Sequence, residues 1–211
     1  MIKICIADDH PVVREGLKLT IGKTADLSVA AEASDGPEVL TALRQHPIDL
    51  LVLDIAMPIR NGVDLLKQIR QKWPKMPILI LTSYPESQYA ARAFKLGASG
   101  YLTKESATRD LIQAIRTVLS GKRYVSSSFA DYLVEQLDHE TGRPPHDNLS
   151  NRELEVLCLI AAGKSLTNIA KELFLSVKTV STYRTRILEK LHIQNDAELI
   201  RYAIRANLAE A

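Results

Sequence analysis

Residues 48–58 read IDLLVLDIAMP, and the apolar run inside this stretch decides the fold. From Leu50 to Leu53 every side chain is apolar, with no polar residue in alternation. This segment lies within one of a series of short β-rich apolar runs along the chain. Working outward, comparable short runs lie at residues 2–7, 27–33, 77–82 and 99–103, with the quoted strand itself at 49–54. Segments at 12–23, 36–46, 63–72, 86–96 and 107–119 separate them and repeat apolar residues at helical spacing. Strand and helix in strict alternation predict an α/β domain built on a five-stranded parallel sheet. Pro11 suits a helical first turn, and His46-Pro47 and Trp73-Pro74 punctuate helix ends.

After residue 120 the alternation fades. Gly142-Arg143-Pro144-Pro145 breaks the chain, and residues 149–211 carry no strand pattern. They read as four helices near 150–162, 166–173, 177–191 and 196–207. Ser150 with Glu153, and Asn195 with Glu198, have the spacing of a capping box. The expected domains are therefore 1–120, a linker at 121–148 with a short helix near 129–137, and an all-helical unit at 149–211.

Composition excludes several classes. A chain of 211 residues with 46% hydrophobic and 25% charged residues is ordinary globular protein, too long for one small domain and too short for three. The longest apolar stretch, 48–57, contains Asp49 and Asp54 and is well below the ~20 residues of a membrane span. No basic leader precedes Asp8 and Asp9, so a cytoplasmic, membrane-free protein is expected. Cys5 and Cys158 both sit in apolar segments and read as small core residues. The net charge of +2 is too small to argue nucleic-acid binding by itself.

The chemistry collects at the strand ends. In an open parallel sheet ligands bind beyond the carboxyl ends of the strands. The first strand ends in Asp8-Asp9, the third in Asp54, the fourth in Thr82, and the fifth runs to Lys104. Converging carboxylates repel one another and suit a hard divalent cation such as Mg2+. A hydroxyl and an ammonium beside them can bind phosphoryl oxygens. A single acidic strand end is ordinarily a solvated loop position, but four of the five strand ends carrying such groups point to phosphoryl transfer.

Four motifs carry a resemblance over residues 1–120: Asp8-Asp9-His10, Leu53-Asp54-Ile55-Ala56-Met57-Pro58, Leu81-Thr82-Ser83 and Gly100-Tyr101-Leu102-Thr103-Lys104. This part of the chain resembles the receiver domain of two-component response regulators. The resemblance implies a doubly wound, flavodoxin-like sheet of order 2-1-3-4-5. It implies that Asp54 accepts a phosphoryl group from a phosphohistidine of a sensor histidine kinase. Mg2+ would be held by Asp9, Asp54 and the Ala56 carbonyl, and by Asp8 through water. It further implies a switch in which Thr82 moves toward the phosphoryl group and Tyr101 turns inward. Many receivers carry proline after the lysine, where this chain has Glu105, and the geometry of that peptide bond is open.

In the carboxyl-terminal unit, a short helix, a tight turn at 174–176 and a longer helix have helix-turn-helix spacing. Along the longer helix Val180, Ile187, Leu188 and Leu191 form one stripe, while Lys178, Ser181, Thr182, Thr185 and Arg186 fall mainly opposite. Such a polar face fits a DNA major groove. Through Leu149-Ser150-Asn151-Arg152-Glu153, Ala162-Gly163-Lys164-Ser165, Ile169-Ala170 and Leu175-Ser176-Val177-Lys178-Thr179-Val180, residues 149–211 resemble the LuxR-type DNA-binding domain of the NarL/FixJ group. The resemblance implies that Ser181, Thr182 and Thr185 face bases of double-stranded DNA. Lys178, Thr179, Tyr183, Arg184, Arg186 and Lys190 would hold its backbone. Many members have histidine in place of Tyr183 and threonine in place of Asn151. Leu199, Ile200 and Ala203 are candidates for core or for dimer contacts.

The expectation is a transcriptional regulator, not an enzyme in the ordinary sense, which dimerises when phosphorylated and can lose its phosphoryl group by itself. RNA polymerase is a candidate further partner. Two other readings compete: a DNA- or protein-binding module indifferent to phosphorylation, and an aspartyl-phosphate hydrolase. The hydrolase is disfavoured because Ala56 stands where such enzymes place a second aspartate.

Overall fold

The computed structural model describes residues 1–57, 62–127, 129–130, 145–206 and 208–209. The chain divides into two compact units, Met1–Val134 and Glu135–Ala211. The predicted helix near 129–137 begins with residues 127, 129 and 130; its remainder, with the Gly142–Pro144 break and Pro58, lies outside the described residues.

The first unit is built from β1 (Ile2–Ala7), α1 (Pro11–Gly22), β2 (Leu27–Ala33), α2 (Gly36–Gln45), β3 (Leu50–Leu53), α3 (Gly62–Lys72), β4 (Ile78–Thr82), α4 (Glu86–Lys95), β5 (Gly100–Thr103) and α5 (Ala107–Leu119). The sheet is wholly parallel, with order β2-β1-β3-β4-β5. Two of its interior strands, β3 and β4, are buried at every residue, which is why Leu50–Leu53 and Ile78–Leu81 are unbroken apolar runs. Alternate residues Ile4, Ile6, Leu50, Val52, Leu79, Leu81 and Leu102 join Leu17 and Ile21 of α1 and Leu111, Ile115 and Val118 of α5 in one core. Tyr101, of opposite parity to Leu102, is fully buried. Asp35 caps α2 by accepting the Glu38 N–H at 2.8 Å, and Glu38 returns to Ser34.

The second unit opens with a 3-10 turn, Pro145–Asn148, followed by α6 (Asn151–Ala161), α7 (Leu166–Glu172), α8 (Val177–Leu191) and α9 (Asp196–Arg205). The Ser150–Glu153 capping box forms with both arms closed. At α9, Asn195 accepts from the Glu198 N–H, but the Glu198 carboxylate reaches back to the N–H of Gln194, one residue earlier than the box requires. Ser165 and Ser176 cap α7 and α8 in the same way. Leu149, Leu154, Leu157, Ile169, Val180, Ile187, Leu199 and Ala203 fill the core of this unit.

Both cysteines are free, Cys5 buried and Cys158 partly so. Burial pushes the Cys5 thiol up to about 12, so it stays protonated and inert at neutral pH. Among the described residues no helix is long and apolar enough to cross a membrane.

Candidate phosphoacceptor pocket and nucleic-acid interface

Sheet register builds the acidic pocket. Ala7 pairs with Leu53, and the Asp54 N–H donates to the Ala7 carbonyl at 2.8 Å, so Asp8 and Asp54 leave the sheet side by side. On the other flank Thr82 pairs with Thr103, and the Lys104 N–H donates to the Thr82 carbonyl at 2.9 Å. The Lys104 ammonium then spans both acids, at 2.8 Å from Asp8 Oδ2 and 2.6 Å from Asp54 Oδ2. Asp54 Oδ1 accepts the Ala56 N–H at 2.8 Å, which fixes the rotamer of the carboxylate.

Electrostatics follow from this burial. Asp8 and Asp54 are each about 1% exposed. Desolvation raises the Asp54 carboxyl above its ordinary value, and Lys104 and the Ala56 N–H pull against that rise without cancelling it. Burial alone would lower the Lys104 ammonium, but attraction to Asp54 and Asp8 outweighs it and holds the lysine charged. The pocket therefore carries one fixed cation among several acids.

Asp8, Asp9, His10 and Asp54 each offer a ligand atom, all within 4.8 Å of one another. Two of the three carboxylates are buried and all are hard oxygen donors, a set that fits Mg2+. His10 is a neighbour that the sequence reading did not assign. Its N–H donates to Asp8 Oδ1 at 2.8 Å, and Nδ1 lies 2.9 Å from Asp9 Oδ1. Arg14 was likewise missed; it donates to the Asp8 carbonyl at 2.6 Å from one turn into α1. Ala56 enters through its N–H.

Thr82 is fully buried, with its hydroxyl oxygen 3.5 Å from the Tyr84 N–H, at the limit of a hydrogen bond. Tyr101 is turned inward and donates its hydroxyl to the Tyr84 carbonyl at 3.0 Å. Burial, with the nearby Glu86 and Asp54 charges, pushes its phenol well above the usual range. Among the described residues no peptide bond is cis, so Lys104–Glu105 is trans.

In the second unit α7, the turn and α8 form the predicted helix-turn-helix. The turn passes through Phe174 at φ 54°, with the Leu175 N–H donating to the Ala170 carbonyl at 2.8 Å. Val180, Ile187 and Leu191 face inward; Lys178, Ser181, Thr182, Thr185 and Arg186 are exposed, and Thr179 and Tyr183 are partly so. The hydroxyls of Thr182 and Thr185 donate back to the Lys178 and Ser181 carbonyls, leaving their oxygens outward as acceptors. Two cations of the same helix are turned to their own unit: Arg184 to Asp196 at 2.7 Å and Lys190 to the buried Glu153 at 2.6 Å. Of the dimer candidates, Leu199 and Ala203 are fully enclosed in the core and only Ile200 keeps exposed surface.

Comparison with known proteins finds a match for each of the two units. Residues 4–116 match the response regulator receiver domain, and residues 147–203 match the bacterial regulatory proteins of the luxR family. The oxygen regulatory protein NreC of Staphylococcus epidermidis (strain ATCC 12228) is 38% identical, over 99% of this chain and 100% of its own length. The response regulator UvrY of Escherichia coli (strain K12) is 34% identical, over 100% of this chain and 97% of its own. RcsB from Salmonella enterica serovar Typhimurium, solved bound to promoter P1flhDC in the presence of phosphomimetic BeF3-, is 29% identical with a TM-score of 0.66, covering 95% of this chain and 97% of that one. A wholly parallel 2-1-3-4-5 sheet ending in clustered aspartates, joined to a helix-turn-helix, is thus matched along the length of full regulators, and the chain belongs to the NarL/FixJ family of two-component response regulators with a LuxR-type DNA-binding domain.

Proposed function

We propose that Asp54 accepts a phosphoryl group from a sensor histidine kinase and that this controls dimerisation and DNA binding by the carboxyl-terminal unit. The observation that carries the reading is the Asp54 carboxylate, buried at the end of β3 with Lys104 at 2.6 Å and Asp8 beside it. A carboxylate oxygen of Asp54 bonds to phosphorus as the P–N bond of the kinase phosphohistidine breaks and the imidazole departs. The Ala56 N–H and Lys104 hold the nucleophile in place. Lys104 then has a phosphoryl oxygen to pair with, and the Thr82 hydroxyl can donate to another. Asp9, Asp54 and the Ala56 carbonyl would hold Mg2+ directly, and Asp8 through water. When bound, Mg2+ neutralises charge on the transferring group. The same pocket admits water for slow loss of the phosphoryl group.

In this reading residues 1–120 are the phosphoacceptor domain, 121–148 the linker and 149–211 the DNA-binding domain of a cytoplasmic regulator. Ser181, Thr182 and Thr185 read base edges. Lys178, Thr179, Tyr183, Arg184, Arg186 and Lys190 address the backbone, Arg184 and Lys190 while anchored to Asp196 and Glu153. Ile200 carries the dimer contact, and RNA polymerase is a further partner. The RcsB complex, bound to promoter DNA with a phosphoryl mimic, supports this. The test is incubation with a small phosphodonor and Mg2+, followed by intact mass and DNA titration. One phosphoryl group per chain and tighter binding are expected; equal labelling of Asp54→Ala overturns the site, and equal DNA affinities overturn the regulation.

A further inference from the structure

Beyond α5 the chain stays bound to the sheet. Tyr124 lies along β5, the edge strand. Its N–H donates to the Ser99 carbonyl at 3.2 Å and its carbonyl accepts the Tyr101 N–H at 3.0 Å, a parallel bridge opposite Gly100. A Cβ at Gly100 would stand 3.1 Å from Tyr124 Cβ and 2.9 Å from Val118 Cγ2, so glycine there lets the segment close. Arg123 places its guanidinium 5.6 Å over the Phe94 ring of α4.

Two residues further, Ser126 is gripped by Glu86. Its N–H donates to Glu86 Oε1 at 3.0 Å and its hydroxyl donates to Glu86 Oε2. Ser126 in turn starts a helix: its Oγ accepts the Phe129 N–H at 3.1 Å, its carbonyl accepts the Ala130 N–H at 3.0 Å, and Phe129 is buried. Glu86 is the first residue of α4, and the loop before it follows Thr82, the last residue of β4. Within that loop the Tyr84 carbonyl accepts the Tyr101 hydroxyl, and the Tyr84 ring stacks on Tyr89 at 4.5 Å between centroids. Tyr101 therefore holds the loop by its hydroxyl and the departing chain by its N–H.

We infer that Glu86 and Ser126 form a latch through which the β4–α4 loop holds the segment leading to the DNA-binding domain, and that phosphorylation opens it. The opening rests on the reading that Asp54 takes a phosphoryl group. Movement of Thr82 toward that group draws the loop with it. A displacement of about 1 Å at Glu86 takes its bond to the Ser126 N–H beyond hydrogen-bonding range and weakens the bond to the Ser126 hydroxyl. The carboxylate then no longer braces the helix cap, and the segment is freed where it leaves the receiver.

Amide hydrogen exchange of the full-length chain, read on peptides spanning residues 120–130, tests this with and without beryllofluoride and Mg2+. Beryllofluoride should speed exchange there about tenfold in the wild type. Glu86→Ala and the milder Ser126→Ala should exchange fast without it and gain little from it. Both should still label at Asp54, with the DNA-affinity gain on phosphorylation falling toward onefold. The latch is overturned if the wild-type segment does not respond although Asp54 is labelled, or if both variants keep the wild-type affinity gain. Should Asp54 take no phosphoryl group, the proposed function fails instead. The anchoring contact is then judged by the unliganded variants alone, and equal exchange in wild type and variants overturns it.

Discussion

Replacing Lys104 by methionine removes one charge from the centre of the acidic pocket while keeping nearly the same volume. The ammonium touches Asp8 Oδ2 at 2.8 Å and Asp54 Oδ2 at 2.6 Å, with the lysine side chain 15% exposed and both carboxylates almost wholly enclosed. Deleting one partner of a buried ion pair costs about 3–5 kcal/mol, because the remaining charge is left without compensation. Here the lysine lies near the pocket mouth, where water can enter, so a loss of about 2 kcal/mol is expected at pH 7 in the presence of a chelator. Mg2+ should restore much of it, since a cation at 100 times its dissociation constant contributes about 2.7 kcal/mol and no ammonium competes with it in the variant. Urea denaturation followed by the fluorescence of Trp73, the single tryptophan and a residue of the receiver, reports this unit alone. Equal stability of Lys104→Met and wild type in chelator, or equal gains from Mg2+, would refute the assignment of Lys104 as the pocket's resident counter-charge.

Asp54→Asn should stabilise the receiver at pH 7 without Mg2+. Burial raises the Asp54 carboxyl in the folded state, so its favourable contribution is present below its unfolded value and lost as pH rises through the folded one. The advantage of asparagine should fade below about pH 4 in urea titrations. Glu153 has the opposite sign: burial pushes it up, but Lys190 and Ser150 outweigh burial and lower it. Its contribution is present above the unfolded value and lost as pH falls through the folded one. Glu153→Gln should cost about 1–2 kcal/mol at pH 7, discounted for the exposure of Lys190, and nothing in strong acid, by circular dichroism. In DNA binding, Lys178→Ala should reduce the slope of log affinity against log salt by about 1, and an unchanged slope would remove Lys178 from the phosphate contacts.

The sheet was legible because two of its interior strands are covered on both faces, so Leu50–Leu53 and Ile78–Leu81 had to be unbroken apolar runs. The pocket was legible for a related reason: Asp8, Asp54 and Lys104 each sit one step past a strand, at positions fixed by register. His10 and Arg14 escaped because they reach the pocket from the start of α1, where no strand end marks them. The bridge of Tyr124 to β5 is a single residue long and leaves no periodicity to read. Phe174 is the opposite case, since the turn requires a left-handed residue and the sequence offers a phenylalanine, 77% exposed, where glycine or asparagine would signal it. Nor could spacing alone pair Lys190 with Glu153, 37 residues away.

That last pairing explains why charge was a poor guide to the DNA-binding unit. Four of the nine cations in residues 149–211 are compensated at home: Arg152 by Glu155, Lys164 by Glu172, Arg184 by Asp196 and Lys190 by Glu153. The Arg152 pair lies within α6, whereas the Arg184 pair joins α8 to α9 and the Glu153 pair joins the capped start of α6 to the end of α8. On the outward face of α8, Lys178 and Arg186 stand exposed without a carboxylate partner among the described residues, beside three hydroxyl side chains. If the proposed DNA contacts hold, a face of this kind contributes few released counterions and several short hydrogen-bonding groups, and discrimination between sequences depends on how rigidly α8 is held. The ion pairs of Arg184 and Lys190, which offset cationic charge on α8, are on this view the same contacts that set the helix for reading.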